Sequence, residues 1–151
     1  MVSIVLQLVV TREMTAGLAL LSDEDVEATA VTAWAGLSDV GDAEDLVRAR
    51  EVELVEERDL PDGFDGLALP WKLLVRPSRL RALWVLRVLH ELAHHLLAAR
   101  YHTHADVWRL SLALAWPIHR VRAGLGPLEI PAWSLELRAA VLEETRVISA
   151  A

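Results

Sequence analysis

The feature that most constrains the fold is a run of 22 residues, Arg79 to Arg100, that contains neither Gly nor Pro and is rich in helix-forming side chains. Placed on a helical wheel at about 100° per residue, Val85, Leu86, Val88, Leu89, Leu92, Ala93, Leu96 and Leu97 cover most of the circumference. Arg87, His90, Glu91, His94 and His95 crowd into the remaining arc of about 140°. A helix that is apolar on nearly every side cannot lie on a surface, so the rest of the chain must wrap around it. With 151 residues, 54% of them hydrophobic, the chain can build one such core but not two domains. We therefore read residues 1–151 as a single domain.

The flanking sequence supplies the wrapping. Ser22 followed by Asp23-Glu24-Asp25 places a cap and acidic residues where a helix N-terminus favours them, which predicts a helix from Asp23 to about Ala35, ended by Gly36. Asp42 to Arg50 reads as a second, short helix. Glu51 to Glu56 alternates polar and apolar residues, as a half-exposed strand does. Turn chemistry at Pro61-Asp62-Gly63 and Asp65-Gly66 precedes two further short strands, Leu67–Leu69 and Trp71–Val75, the second at either an edge or the interior of a small sheet. After the long helix, a break at Tyr101–Thr103 leads to a helix from about His104 to Ala115, stopped by Pro117. Ala132 to about Ile148 reads as a closing helix, and the β-branched opening Met1–Val10 as a buried strand. The class is α+β, with a small sheet beside the long helix.

Within that helix stands His90-Glu91-Leu92-Ala93-His94, the H-E-x-x-H pattern. His90 and His94 lie about 40° apart on one face, one turn from each other, so two imidazoles can converge on one zinc ion. Glu91 falls about 100° to the side, where its carboxylate can act as a base on water rather than as a ligand. The chain has no Cys, so any metal must be held by His and carboxylates, and a catalytic zinc needs a third protein ligand. Five of the six histidines fall within the 15 residues from His90 to His104. The nearest carboxylate after His94 is Asp106, 12 residues on, and it is the first choice as third ligand, with His104 and His102 as alternatives. The spacing Thr103-His-Ala-Asp106 also suits a capping box, in which Asp106 only closes its own helix. His95 and His119 read as outer residues, and Glu129, Glu136, Glu143 and Glu144 as solvated charge. Tyr101, together with His95 and His102, is a candidate donor for a developing oxyanion.

Charge is divided along the chain. Residues 1–66 hold 16 Asp/Glu against 4 Lys/Arg, while residues 67–151 hold 6 against 11. The second part, with Arg76, Arg79, Arg81, Arg120 and Arg122, could meet an acidic partner or a phosphate backbone. No aromatic interleaving or DNA-binding motif accompanies these arginines, so balancing the acidic part of the same domain is the favoured reading over nucleic acid. Met1–Val10 lacks a basic start and is too short to span a bilayer, which points to a cytoplasmic protein without a membrane partner.

Several of these segments together resemble the ImmA/IrrE-type metallopeptidases. They are Pro61-Asp-Gly-Phe-Asp-Gly66, a strand ending Leu-Leu-Val-Arg-Pro-Ser78, the string His90-Glu-Leu-Ala-His-His-Leu-Leu97, and Asp106 eleven residues before Pro117. The similarity spans roughly residues 45–118. It implies a minimal zincin-like fold, zinc held by His90, His94 and Asp106, the last in place of the family's usual Glu, and Glu91 as general base. It further implies a zinc endopeptidase whose protein substrate is a DNA-binding regulator such as a transcriptional repressor. The rival expectation is a zincin-like regulator that binds a repressor or DNA without cutting.

Overall fold

A computed structural model describes residues 19–79 and 81–122. The expected Met1–Val10 strand, the closing helix over 132–148, the side chain of His119, and Glu129, Glu136, Glu143 and Glu144 lie outside the described residues. The order of elements is α1 (Asp23–Ala35), α2 (Ala43–Ala49), β1 (Glu53–Glu56), β2 (Gly66–Ala68), β3 (Lys72–Val75), α3 (Arg81–Leu97) and α4 (His104–Arg122), an α+β architecture as the patterning predicts.

Local chemistry accounts for the element ends. The Ser22 hydroxyl accepts from the Asp25 N–H at 3.1 Å, and the Asp45 carboxylate accepts from the Asp42 N–H at 2.9 Å, closing the first turns of α1 and α2. Gly63 adopts φ +87°, the left-handed region that a side chain disfavours, and the Phe64 N–H bonds back to the Pro61 carbonyl at 3.1 Å to close the turn before β2.

The three strands pair in the order β1-β3-β2, with β1 parallel and β2 antiparallel to β3. Glu53 stands opposite Lys72, and Gly66 opposite Val75. The strand predicted at Trp71–Val75 is thus the interior one, and β2 is an edge among the described residues. Leu69 and Lys72 bond reciprocally across Pro70-Trp71 to make the tight β2–β3 turn.

α3 sits at the centre, packed against β2 and β3 on one side, α4 on another and α2 on a third. Leu89, Leu92 and Leu97 are fully buried in a core shared with Leu46, Leu73, Val75 and Leu110. The helix is shorter than its composition allows, because the chain turns after Leu97 with the Arg100 N–H on the Leu97 carbonyl at 2.9 Å.

α4 differs from expectation in the other direction: it runs through Pro117 to Arg122. A proline inside a helix removes one backbone bond at a cost of roughly 3 kcal/mol. The apolar stripe Val107, Leu110, Leu114 and Ile118 continues into the core across that position, and burial outweighs the loss. Beside the proline, the Trp34 indole donates to the Leu114 carbonyl at 3.1 Å, tying α1 to this stretch of α4. No helix among the described residues is long and apolar enough to cross a membrane.

Candidate metal centre and cleft

α3 presents His90 and His94 one turn apart, as the spacing requires, and the first turn of α4 brings His104 onto them. The His90 Nε2 lies 3.2 Å from the His94 Nε2 and 3.1 Å from the His104 Nε2. Among the described residues, these three form the group whose ligand atoms could hold a metal ion, all within 4.8 Å of one another. A tetrahedral zinc with bonds of about 2.0–2.1 Å spaces its nitrogens about 3.3–3.4 Å apart, close to the two separations measured from the His90 Nε2.

The electronic state fits as well. Burial, reinforced by the neighbouring imidazoles, pushes His90 down to about 3 and His94 down to about 4. Both rings are neutral at ordinary pH, the state in which a ring nitrogen offers a lone pair to a metal. Trp108, one turn along α4 from His104, backs the cluster, with its ring centroid 4.2 Å from that of His90. The His90 Nδ1 is buried without a hydrogen-bond partner.

Asp106, expected as the third ligand, is turned elsewhere. Two positions apart on a helix means about 200° of rotation, so His104 and Asp106 cannot both face α3. The Asp106 carboxylate is 0% exposed and accepts from the Thr103 N–H (2.9 Å) and hydroxyl (3.1 Å), the Leu20 and Leu21 N–H groups (3.2 Å each) and Arg109 (3.0 Å). Burial alone would raise its pKa, but the backbone donors of Thr103, Leu21 and Leu20 overcome that and hold it below the usual carboxylate value. The capping-box spacing read from the sequence is the arrangement that forms.

Glu91 is 6% exposed and stands at the wall of a cleft of about 980 Å³, beside His90 and His94. Burial, with a smaller contribution from Asp65, pushes its carboxyl up to about 7. Gly66 backs it closely: a Cβ there would lie 2.6 Å from the Glu91 Cγ and 2.8 Å from Oε1. The sequence marked Gly66 only as a turn residue; its role depends on a contact with a helix 25 positions away.

His95 and His102 line the cleft with the cluster, whereas Tyr101 is 89% exposed and is not part of its wall. The His102 Nδ1 lies 2.7 Å from the Arg100 carbonyl; since a carbonyl can only accept, Nδ1 carries the proton and Nε2 is left for the cleft. Arg87 joins the carbonyls of Arg76 and Pro77 (3.2 Å each) to Asp65 (3.3 Å), fixing the loop that leads into β2. Comparison with known proteins finds no matching family model, no similar curated sequence and no similar solved structure.

Proposed function

We propose that the chain is a zinc-dependent endopeptidase, with the metal held by His90, His94 and His104 and with Glu91 as the proton carrier. The observation that carries this reading is the convergence of three Nε2 atoms beside a buried carboxylate on an open cleft. Zinc in such a site supplies a Lewis acid for a carbonyl and lowers the pKa of water toward neutrality.

The chain's own residues supply the rest. No hydrogen bond to the Glu91 carboxylate is found among the described residues, so its oxygens are free to take a proton from attacking water and pass it to the departing amine. Its raised proton affinity suits both halves of that transfer. His95 is the cleft imidazole able to donate to the developing oxyanion, in place of the expected Tyr101, since the one ring proton of His102 is spent on the Arg100 carbonyl.

β2 is an edge strand on the cleft, so an extended peptide can bind by adding a strand beside it. Leu83, Leu86 and Trp108 offer an apolar wall for one of the peptide's side chains. These features suit an extended peptide of any sequence, and the resemblance to ImmA/IrrE-type peptidases is what points to a DNA-binding regulator as the substrate.

The test combines metal content with cleavage of unfolded casein as a general probe. Wild type is expected to carry one zinc per chain and to lose cleavage with chelator; Glu91→Gln is expected to keep the zinc and lose cleavage. A wild type that binds no zinc, or a Glu91→Gln variant that cleaves as fast as wild type, overturns the proposal.

A further inference from the structure

We infer that Asp106 is a positioning residue for the metal: it fastens the segment Leu20–Leu21 to the first turn of α4 and so sets where His104 stands. The inference rests on the reading that His90, His94 and His104 hold zinc. The two histidines of α3 need no such device, because that helix is fixed on three sides by core residues such as Leu89 and Leu92. His104 lies at the start of its helix, next to the break at residues 98–103, and its own side chain is exposed. What holds that turn is the carboxylate two positions on.

Asp106 gathers donors from both flanks. Thr103 supplies its N–H and hydroxyl from one side of His104, while Leu20 and Leu21 supply backbone N–H groups from a segment more than 80 positions away. Arg109 completes the set. Its guanidinium, with a side chain only 5% exposed, bonds Asp106 (3.0 Å) and the Leu21 carbonyl (2.8 Å) and pairs with Asp23. A helix needs one side-chain acceptor to cap its first turn; a buried ion pair that also grips a remote segment is more than capping requires. By linkage, whatever holds His104 in place strengthens metal binding, and bound metal must in turn strengthen the hold on Leu20–Leu21.

The test measures zinc affinity by competition with a chromophoric chelator, and hydrogen exchange at the Leu20 and Leu21 amides with and without zinc. Asp106→Asn is expected to bind one zinc per chain about 10- to 100-fold more weakly, the usual cost of losing a residue that orients a ligand. Leu46→Ala, which weakens the core away from the site, is expected to leave affinity unchanged. Zinc is expected to slow exchange at Leu20 and Leu21 in wild type by a larger factor than at core amides such as Leu46, where only the general stabilisation of the fold acts, and a merely structural role for Asp106 would not produce that difference. Unchanged affinity in Asp106→Asn alongside normal zinc binding by wild type overturns this inference alone. Faster exchange at those amides on adding zinc also overturns it, because direct ligation by Asp106 would release them. Absence of zinc from wild type overturns the reading of the site itself. If Asp106→Asn does not fold, the exchange experiment on wild type decides.

Discussion

Glu91 owes its position to the missing side chain at residue 66. Because a Cβ there would fall 2.6–2.8 Å from three Glu91 atoms, Gly66→Ala must push the carboxylate out of place. A misplacement of about 1 Å at a reacting group can cost on the order of 100-fold in rate. Gly66→Ala is therefore expected to lower kcat by about that factor on a cleavable peptide while zinc content stays at wild type; equal kcat would show that Glu91 simply swings aside. The buried imidazoles predict a pH signature in metal-free protein. Their folded pKa values, about 3 and about 4, lie below the 6.5 of the unfolded chain, so the unfolded state takes up protons first and stability is lost as pH falls from 6.5 toward 4. Glu91 runs the opposite way: with a folded value of about 7 against 4.5, its contribution is present below pH 4.5 and lost as pH rises through 7. Glu91→Gln removes that offset, so its melting temperature in chelator is expected to fall more steeply between pH 7 and 4 than that of wild type. A flat profile would mean that the imidazoles are not buried as neutral rings. At this scale His90, Glu91 and His94 were legible, because helical periodicity is local and fixes their relative directions. Which of His104 and Asp106 turns toward that pair was not, because it depends on residues 20–23 docking against α4.

Among the elements, the loop from Arg58 to Asp65 has no secondary structure of its own, yet it forms part of the cleft wall. Arg76, just past β3, holds it: the guanidinium donates to the carbonyls of Arg58 (3.1 Å), Leu60 (3.1 Å) and Phe64 (3.1 Å). The Arg76 backbone N–H bonds the Asp65 carbonyl at 2.8 Å as well. One side chain thus satisfies three carbonyls that a loop of this kind would otherwise leave to water. Arg76→Ala is expected to raise KM several-fold with a smaller change in kcat, and to open the 58–65 loop to limited proteolysis; an uncut loop would place its rigidity elsewhere. The strands and helices were readable where capping, turn and alternation signals are short-range, as at Ser22, Gly63 and Glu51–Glu56. The point that local reading left open and the one it missed share a cause. The interior place of β3 depends on pairing with both β1 and β2, and the continuation of α4 through Pro117 depends on burying Ile118 against the rest of the core. Neither is visible in a window of neighbouring residues.

At the scale of the whole molecule, part of the charge division along the chain is met internally among the described residues. Arg81 pairs with Glu44 and Asp42, Arg87 and Arg76 with Asp65, Arg100 with Asp25, and Arg109 with Asp23, each joining the basic part to the acidic part. These links bring α1 and α2 onto α3 and α4, but most are exposed, and exposed pairs contribute about 0–1 kcal/mol each. Zinc would tie α3 to α4 more strongly, because His90 and His94 belong to one helix and His104 to the other. A ligand at about 100 times its Kd adds about 2.7 kcal/mol to the folded state, which for a domain of this size raises the melting temperature by about 8 °C. Saturating zinc is therefore expected to raise the melting temperature of wild type by about that much, and chelator to reverse it. In His104→Ala the two remaining ligands sit on a single helix already held by the core, so zinc bound there links nothing across the fold. The shift at the same zinc concentration is expected to fall to a degree or two. A full shift in His104→Ala would mean that a different group closes the site and that α3 and α4 are joined through another residue.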